Sequence, residues 1–377
     1  MATQLEAVGE RINSVQAVDL TGNLLFGVDV KKLVSENRIP GCYSIMRSSL
    51  QNLLLRELEQ NCRNRTSLRA GKRLINAVED EEVGVVSLLF DDGSTAEGYN
   101  MVFGADGVNS VLLSTTSAAP YSGLRVAYCV SPLDPEFKIR PKASRGQFSQ
   151  FFGDGCYALA ASYGEGEDME CVRHMLAVVY REDVNDVENS DWVSTKGTIE
   201  TVNEQLKQGG LLQIDEIKTL FESCMEGRFI DLGVRTVILS DLAKKWSSSS
   251  GRRVILGDAA HAMAPFLGQG ANQAIQDSFC IAQSVAKFIA DTERRPDGLD
   301  NPSLQATRMK EEMLRYERKR KLRTAIMGSK AGILGYIETL GGEWGMSFRD
   351  NLFHYLGKAG IVDMVFMDGA NPTVLRK

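Results

Sequence analysis

Histidine is scarce in this chain: His174, His261 and His354 are the three in 377 residues, and they lie far apart. An imidazole-based metal centre would have to be assembled wholly by the fold, and no ligand spacing proposes one, so no metal is expected. Cysteine is no more suggestive. The seven residues Cys42, Cys62, Cys129, Cys156, Cys171, Cys224 and Cys280 are odd in number and never form C-x-x-C, which argues against a disulfide framework or structural zinc and suits a reducing compartment. No apolar run approaches the roughly 18 residues of a membrane span. The opening Met1-Ala2-Thr3-Gln4-Leu5-Glu6 has neither the basic nor the apolar region of a secretory signal. A soluble, intracellular protein without a transmembrane segment is therefore expected, with no organelle address legible. Positive charge is not in excess either: the net charge of -6 provides no field to draw in nucleic acid, so nucleic acid is not an expected partner.

What the chain does have is length and pattern. A single core rarely grows beyond about 250 to 300 residues, so 377 residues suggest two domains. Alternation from Ile12 to Asp29 around Leu20-Thr21-Gly22-Asn23 predicts a hairpin. After Ile39-Pro40-Gly41 the spacing of Leu50, Leu53, Leu54, Leu55 and Leu58 predicts a helix over Ser44 to Asn61, with Ser48 or Ser49 as its cap. Gly84 to Phe90 and Tyr99 to Phe103 read as two strands about the turn Asp91-Asp92-Gly93-Ser94. From Tyr121 to Ile238, short strand-like runs such as Gln147 to Phe152, Tyr157 to Tyr163 and Met175 to Tyr180 predict a sheet-rich domain, and Glu182 to Asp191 reads as a solvated acidic loop. Phe148, Phe151, Phe152, Tyr157 and Tyr163 there are candidate pocket residues, or equally an ordinary apolar core. Val254-Ile255-Leu256 reads as a buried strand, followed by a long helix with Ala271, Ala274, Ile275, Phe279, Ala282, Val285 and Ile289 as its apolar face, ending before Arg294-Arg295-Pro296-Asp297-Gly298. The basic run from Arg308 to Arg323 is interleaved with Glu311, Glu312 and Glu317 and reads as a charged helix face.

The chemistry concentrates in Gly257-Asp258-Ala259-Ala260-His261-Ala262-Met263-Ala264-Pro265-Phe266-Leu267-Gly268-Gln269-Gly270-Ala271-Asn272. A buried strand ending in Gly-Asp sets a carboxylate at a sheet's C-terminal edge, where ligands of open α/β sheets collect, and such an oxygen suits a sugar or ribityl hydroxyl. Gly268 and Gly270 then open a helix with little side-chain bulk, leaving backbone N–H groups accessible to a flat, electron-rich ligand. A reduced flavin, with negative charge near N1 and the C2 carbonyl, is a suitable occupant. His261 reads as a packed structural residue.

This string resembles the G-D-x-x-H-x-x-x-P…G-Q-G-x-N motif of class A flavoprotein monooxygenases, the group of aromatic hydroxylases, ubiquinone-pathway hydroxylases and zeaxanthin epoxidase. The resemblance implies that Asp258 bonds the ribityl chain, that Gly257 permits close approach, that Pro265 lies at the flavin edge where oxygen is activated, and that Gly268, Gln269, Gly270, Ala271 and Asn272 cover N1 and C2. Ala105-Asp106-Gly107-Val108-Asn109-Ser110 is similar to the family's A-D-G-x-x-S motif, although Leu113 stands where the family carries arginine. Arg47 matches the arginine of R-x-x-L-x-x-x-L, which implies contact with the FAD backbone.

The fold implied is mixed α/β: an FAD/NAD(P)-binding, Rossmann-like domain interleaved with a sheet-rich substrate domain. The expected segments are a substrate-domain hairpin and connection (1–40), FAD-domain parts (41–115 and 252–295), the substrate sheet (121–245) and a helical C-terminal region (305–377). No G-x-G-x-x-G occurs, so the FAD domain is expected to be incomplete at its N-terminal side and FAD retention weak. By resemblance the cofactors are FAD and a transient NADPH or NADH, and the partners are O2 and a small apolar or aromatic substrate. Two alternatives stand beside oxygen insertion: a related flavin-dependent reductase or dehydrogenase, and a non-catalytic protein that keeps the flavin fold.

Overall fold

The alternation between Ile12 and Asp29 folds as an antiparallel hairpin of strands Ser14–Val18 and Leu24–Asp29. Asp19 closes it by accepting bonds from the backbone N–H of Thr21 (2.8 Å) and Asn23 (2.9 Å), the local device that makes Asp a turn residue. The computed structural model describes residues 2–37, 41–62, 65–112, 120–165, 171–182, 193–194, 198–225, 227, 229–235, 242–294 and 302–370. Ile39-Pro40, Leu113, the acidic stretch beyond Glu182 and the Arg295-to-Gly298 turn lie outside them. The chain divides into two units: Met1–Ser67 with Gly123–Val234 and Gly335–Asn371, and Leu68–Ser122 with Arg235–Leu334 and Pro372–Lys377.

The first unit is built on an eight-stranded mixed sheet among the described residues. Its order runs Val193–Ser194, Ile230–Arg235, Tyr121–Val130, Cys171–Arg181, Cys156–Glu165, Gln147–Phe152, Ser14–Val18, Leu24–Asp29. Because side chains alternate across a strand, each strand feeds two faces. One face carries Ala127, Phe151, Ala158, Ala160, Leu176 and Val178 and packs under helices Thr198–Gln208 and Asp215–Cys224 through Val202, Leu206, Ile217, Leu220 and Phe221. On the other face helix Gly342–Lys358 inserts Phe353 against Phe152 (centroids 5.2 Å, stacked) and Phe26 (5.6 Å). The helix expected after Pro40 is Arg47–Cys62 and belongs to this unit. Met46 O accepts the first helical bond from Leu50 N, so the helix starts ahead of Ser48 and Ser49 and neither is its cap. Leu53 is its buried apolar residue, whereas Leu54, expected on the same face, is exposed, since consecutive positions turn by about 100°.

The second unit holds a three-stranded antiparallel sheet, Leu74–Asp80, Val85–Phe90 and Thr95–Tyr99, and a parallel pair, Val102–Gly104 with Arg253–Ile255. Tyr99 to Phe103 is thus not one strand: the chain leaves the hairpin at Tyr99 and pairs with Arg253–Ile255 from Val102 onward. Val86, Leu112, Trp246, Val254, Ile255, Cys280, Ile281, Met313 and Tyr316 form the core. Helix Gly270–Glu293 runs the length expected, but with the opposite side inward. Ile275, Phe279 and Ile289 are 56%, 40% and 49% exposed, while Gln273, Gln276, Asp277, Cys280, Ile281 and Ser284 are buried. The physical reason is Arg320 on helix Pro302–Glu338. It is fully buried, and its guanidinium needs acceptors, which the polar stripe of the neighbouring helix supplies. The basic run is therefore a charged face only in part: Lys321–Glu317 and Arg315–Glu312 form the expected i,i+4 and i,i+3 pairs, but Glu317 and Glu312 are buried, and Arg320 points inward. Among the described residues no helix is long and apolar enough to cross a membrane.

Candidate functional site

Strands Val102–Gly104 and Arg253–Ile255 run parallel with Gly104 opposite Ile255. The chain therefore leaves both strands at the same end, and Asp106 and Asp258 follow there, two and three residues on. Both side chains are exposed. Two carboxylates at the C-terminal edge of a parallel pair occupy the position at which open α/β sheets bind ligands.

Gly257 makes this turn possible. Its backbone (φ 58°, ψ −140°) lies where side chains are rarely tolerated, and a Cβ there would sit 3.2 Å from that of Ala274. Asp277 secures it by accepting from Gly257 N–H at 2.9 Å on the same oxygen that meets His261 Nε2, while its other oxygen accepts from Arg320 Nε at 2.6 Å. Burial pushes the Asp277 carboxyl up, but the hydrogen bonds and charges of His261 and Arg320 outweigh it and hold the group below its ordinary range. His261 is buried beside Trp246 (centroids 5.4 Å).

Beyond the short helix Asp258–His261, Pro265–Leu267 forms a single 3-10 turn that ends in Gly268, whose left-handed conformation (φ 60°, ψ 25°) turns its N–H back to Pro265 O at 2.8 Å. Helix Gly270–Glu293 starts two residues later, and no side chain caps it. A Cβ on Gly268 would meet nothing within 4 Å, and one on Gly270 would meet only Asp258 Oδ1, at 4.0 Å. The helix start thus faces open space beside the Asp258 carboxylate. Pro265, Gly268, Ala271 and Asn272 are exposed, and Gln269 and Gly270 half-buried. Asp258, Gly270 and the Gly268 turn come together in the second unit. Arg47 opens its helix in the first unit, with an exposed side chain. The residues that sequence reasoning missed are Asp277 and Arg320. Asp277 repeats at helical spacing with Gln273, Cys280 and Ser284, a stripe as regular as the apolar one, but Arg320 is masked among basic neighbours.

The aromatic candidates of the first unit separate by strand parity. Phe151 turns into the core beneath helices Thr198–Gln208 and Asp215–Cys224 and cannot line a pocket on the other face. Phe152 and Tyr157, paired across strands, are fully buried. Phe148 and Tyr163 are half-buried on the face opposite Phe151.

Comparison with known proteins gives a consistent picture. The family model described as FAD binding domain matches residues 234–316. The chain is 25% identical over 296 residues to the FAD-dependent monooxygenase notI' of Aspergillus versicolor (74% of this chain, 60% of that protein). It is 25% identical over 328 residues to the chloroplastic zeaxanthin epoxidase of an Oncidium hybrid cultivar (85% of this chain, 42% of that protein). The chain thus spans roughly half the length of the curated relatives it matches. Its fold is similar to that of Klebsiella pneumoniae HpxO, solved with FAD and uric acid (TM-score 0.71, 18% identity, 98% of this chain and 83% of that chain). It is also similar to a salicylate hydroxylase solved with substrate (TM-score 0.67, 17% identity, 99% and 85%).

Proposed function

We propose, from the premise that the chain is a relative of the class A FAD-dependent monooxygenases, that Gly257 to Asn272 with Asp106 forms the flavin side of an FAD site in an oxygen-inserting enzyme. The observation that carries the reading is the Asp258 carboxylate beside an uncapped helix start opened by Gly268 and Gly270. The residues fit the group. Asp258 would accept from ribityl hydroxyls. The backbone N–H groups of Gly270, Ala271 and Asn272 would face the N1 and C2 side, where the helix dipole favours negative charge. Pro265, exposed and rigid, would border the ring edge without offering a donor. Asp106 would supply a second carboxylate at the same sheet edge as Asp258.

FAD, once reduced by NADPH or NADH, supplies the electrons that activate O2 for insertion of one oxygen atom into a small organic substrate. The protein's part is to orient the ring, exclude water and stabilise charge, so no nucleophile or general base is required of it. The half-buried Phe148 and Tyr163 suit an apolar or aromatic substrate.

The test is FAD titration of the full chain by flavin fluorescence, followed by O2 uptake with NADPH or NADH over a panel of aromatic and apolar compounds. Saturable FAD binding and O2 uptake matched mole for mole by hydroxylated or epoxidised product support the reading. Substrate turnover without O2 uptake would assign the chain to the reductase alternative, and failure to bind FAD would make it non-catalytic.

A further inference from the structure

Asp277 bonds only the two ends of the Asp258 turn, Gly257 and His261, and Arg320 bonds the helix behind it, yet between them they hold the frame of the proposed site. Both are fully buried and joined by a 2.6 Å bond. Asp277 Oδ2 fixes the Gly257 N–H, in a turn whose backbone only glycine adopts readily, and also engages His261 Nε2. The turn's two ends, Gly257 and His261, are thus tied to one carboxylate, and Asp258 lies between them. Arg320 also holds Gln276 Oε1 (3.1 Å) and Gln273, through its side-chain oxygen (2.7 Å) and its carbonyl (3.2 Å), in the first turn of helix Gly270–Glu293. One pair therefore orients both the carboxylate turn and the open helix start.

A buried ion pair is a weak source of net stability, because desolvation cancels much of its attraction, and apolar residues of like volume often replace such pairs at no loss. The four bonds from this guanidinium to Asp277, Gln273 and Gln276 satisfy donors that burial cuts off from water, and they also tie it to the start of the neighbouring helix. Their placement under the helix start is what a precisely oriented anion site needs.

We propose that Asp277 and Arg320 form a positioning pair: Asp277 fixes the turn that carries Asp258, and the charge balance of the two sets how strongly the reduced flavin is held relative to the oxidised one. The inference rests on the reading of Gly257 to Asn272 as the flavin site. Removing Arg320's charge leaves the buried Asp277 carboxylate without its arginine, held by Gly257 N–H and His261 Nε2, and its uncompensated negative charge would disfavour the reduced form. Removing Asp277's charge leaves an unpaired cation and favours it.

The experiment compares the full chain with Asp277→Asn, Arg320→Gln and the double variant. Amide hydrogen exchange over residues 256–262 is read with and without FAD, and the flavin midpoint potential is read where FAD binds. In both single variants the 256–262 segment should exchange at least tenfold faster, with the 147–152 and 171–181 strands unchanged. The midpoint should rise in Asp277→Asn, fall in Arg320→Gln and return towards wild type in the double variant. Each tenfold change in the ratio of reduced to oxidised FAD affinity corresponds to about 30 mV for a two-electron couple. Unchanged exchange at 256–262, or shifts of the same sign in both single variants, overturns the proposal. If the wild-type chain does not bind FAD, the cofactor reading falls while the exchange comparison still decides the positioning of the turn. If a single variant does not fold, the double variant, which leaves no unpaired buried charge, decides that comparison.

Discussion

Gln150 and Glu338, 188 residues apart, meet through a 3.2 Å hydrogen bond from the Gln150 amide to Glu338 Oε1 in the first unit. Glu338 is fully buried. Burial pushes the carboxyl up to about 8, against the opposing pull of Tyr157, Gln150 and Arg349. Burial thus favours the protonated form at pH 7.

A group protonated more readily in the folded state stabilises the fold fully below its unfolded value, 4.5 here, and that contribution is lost as pH rises to about 8. Glu338→Gln keeps the shape and removes the titration. The variant should be more stable than wild type at pH 8, with the gap closing towards pH 5. Urea denaturation across this range checks it, and parallel curves would show that Glu338 does not titrate as described.

Gly257→Ala adds a Cβ at a positive φ and 3.2 Å from the Ala274 Cβ. The expected loss is about 1 to 3 kcal/mol of stability, together with faster exchange of the Gly257 amide, which Asp277 holds. A denaturation midpoint unchanged from wild type would mean that the turn accommodates a side chain.

Asp258→Ala separates binding from folding. Its side chain is exposed, so the fold should change by no more than about 0.5 kcal/mol. FAD affinity should fall at least tenfold, as expected when a charge-assisted bond worth about 1.5 to 3 kcal/mol is lost. Equal FAD titrations for variant and wild type would remove Asp258 from the cofactor site.

The buried network of the 131–140 segment predicts acid sensitivity. His174 Nε2 donates to Asp134 (3.0 Å) and Nδ1 accepts from Ser162 (3.1 Å), an assignment required because Arg140 already donates to Ser162 Oγ and a carboxylate only accepts. Burial lowers His174 despite Asp134. Stability is therefore present above pH 6.5 and lost as pH falls from there towards the depressed folded value, because the unfolded histidine binds its proton first. Asp134 is also lowered: burial opposes this, but the backbone N–H groups of Ile139 and Lys138 and the His174 ring prevail, so a further loss follows below pH 3.8. His174→Gln should flatten the first loss and leave a smaller second one, which the Ile139 and Lys138 N–H groups still support. Thermal melts from pH 7 to pH 3 distinguish the two.

Local pattern was readable where local physics decides it. The Asp19 hairpin, the strand Gln147–Phe152 and the Gly257-to-Asn272 succession of strand end, turn and helix start depend on alternation, turn chemistry and glycine, all properties of neighbouring residues. The aromatic run Phe148 to Phe152 shows the limit. Strand parity states that Phe151 and Phe152 point to opposite faces, but not which face receives two helices and which receives Phe353.

Residue pattern alone determined the mixed α/β class and the succession of strand end, turn and helix start from Gly257 to Asn272. Tertiary structure alone decided which stripe of helix Gly270–Glu293 faces inward. Two stripes of that helix have equal periodicity, and hydrophobicity favours the one carrying Ile275, Phe279 and Ile289. The choice went to Gln273, Gln276 and Asp277, because a buried guanidinium 43 residues beyond Asp277 could not be left without acceptors. No window of sequence contains that requirement, since it exists only once the two helices are side by side.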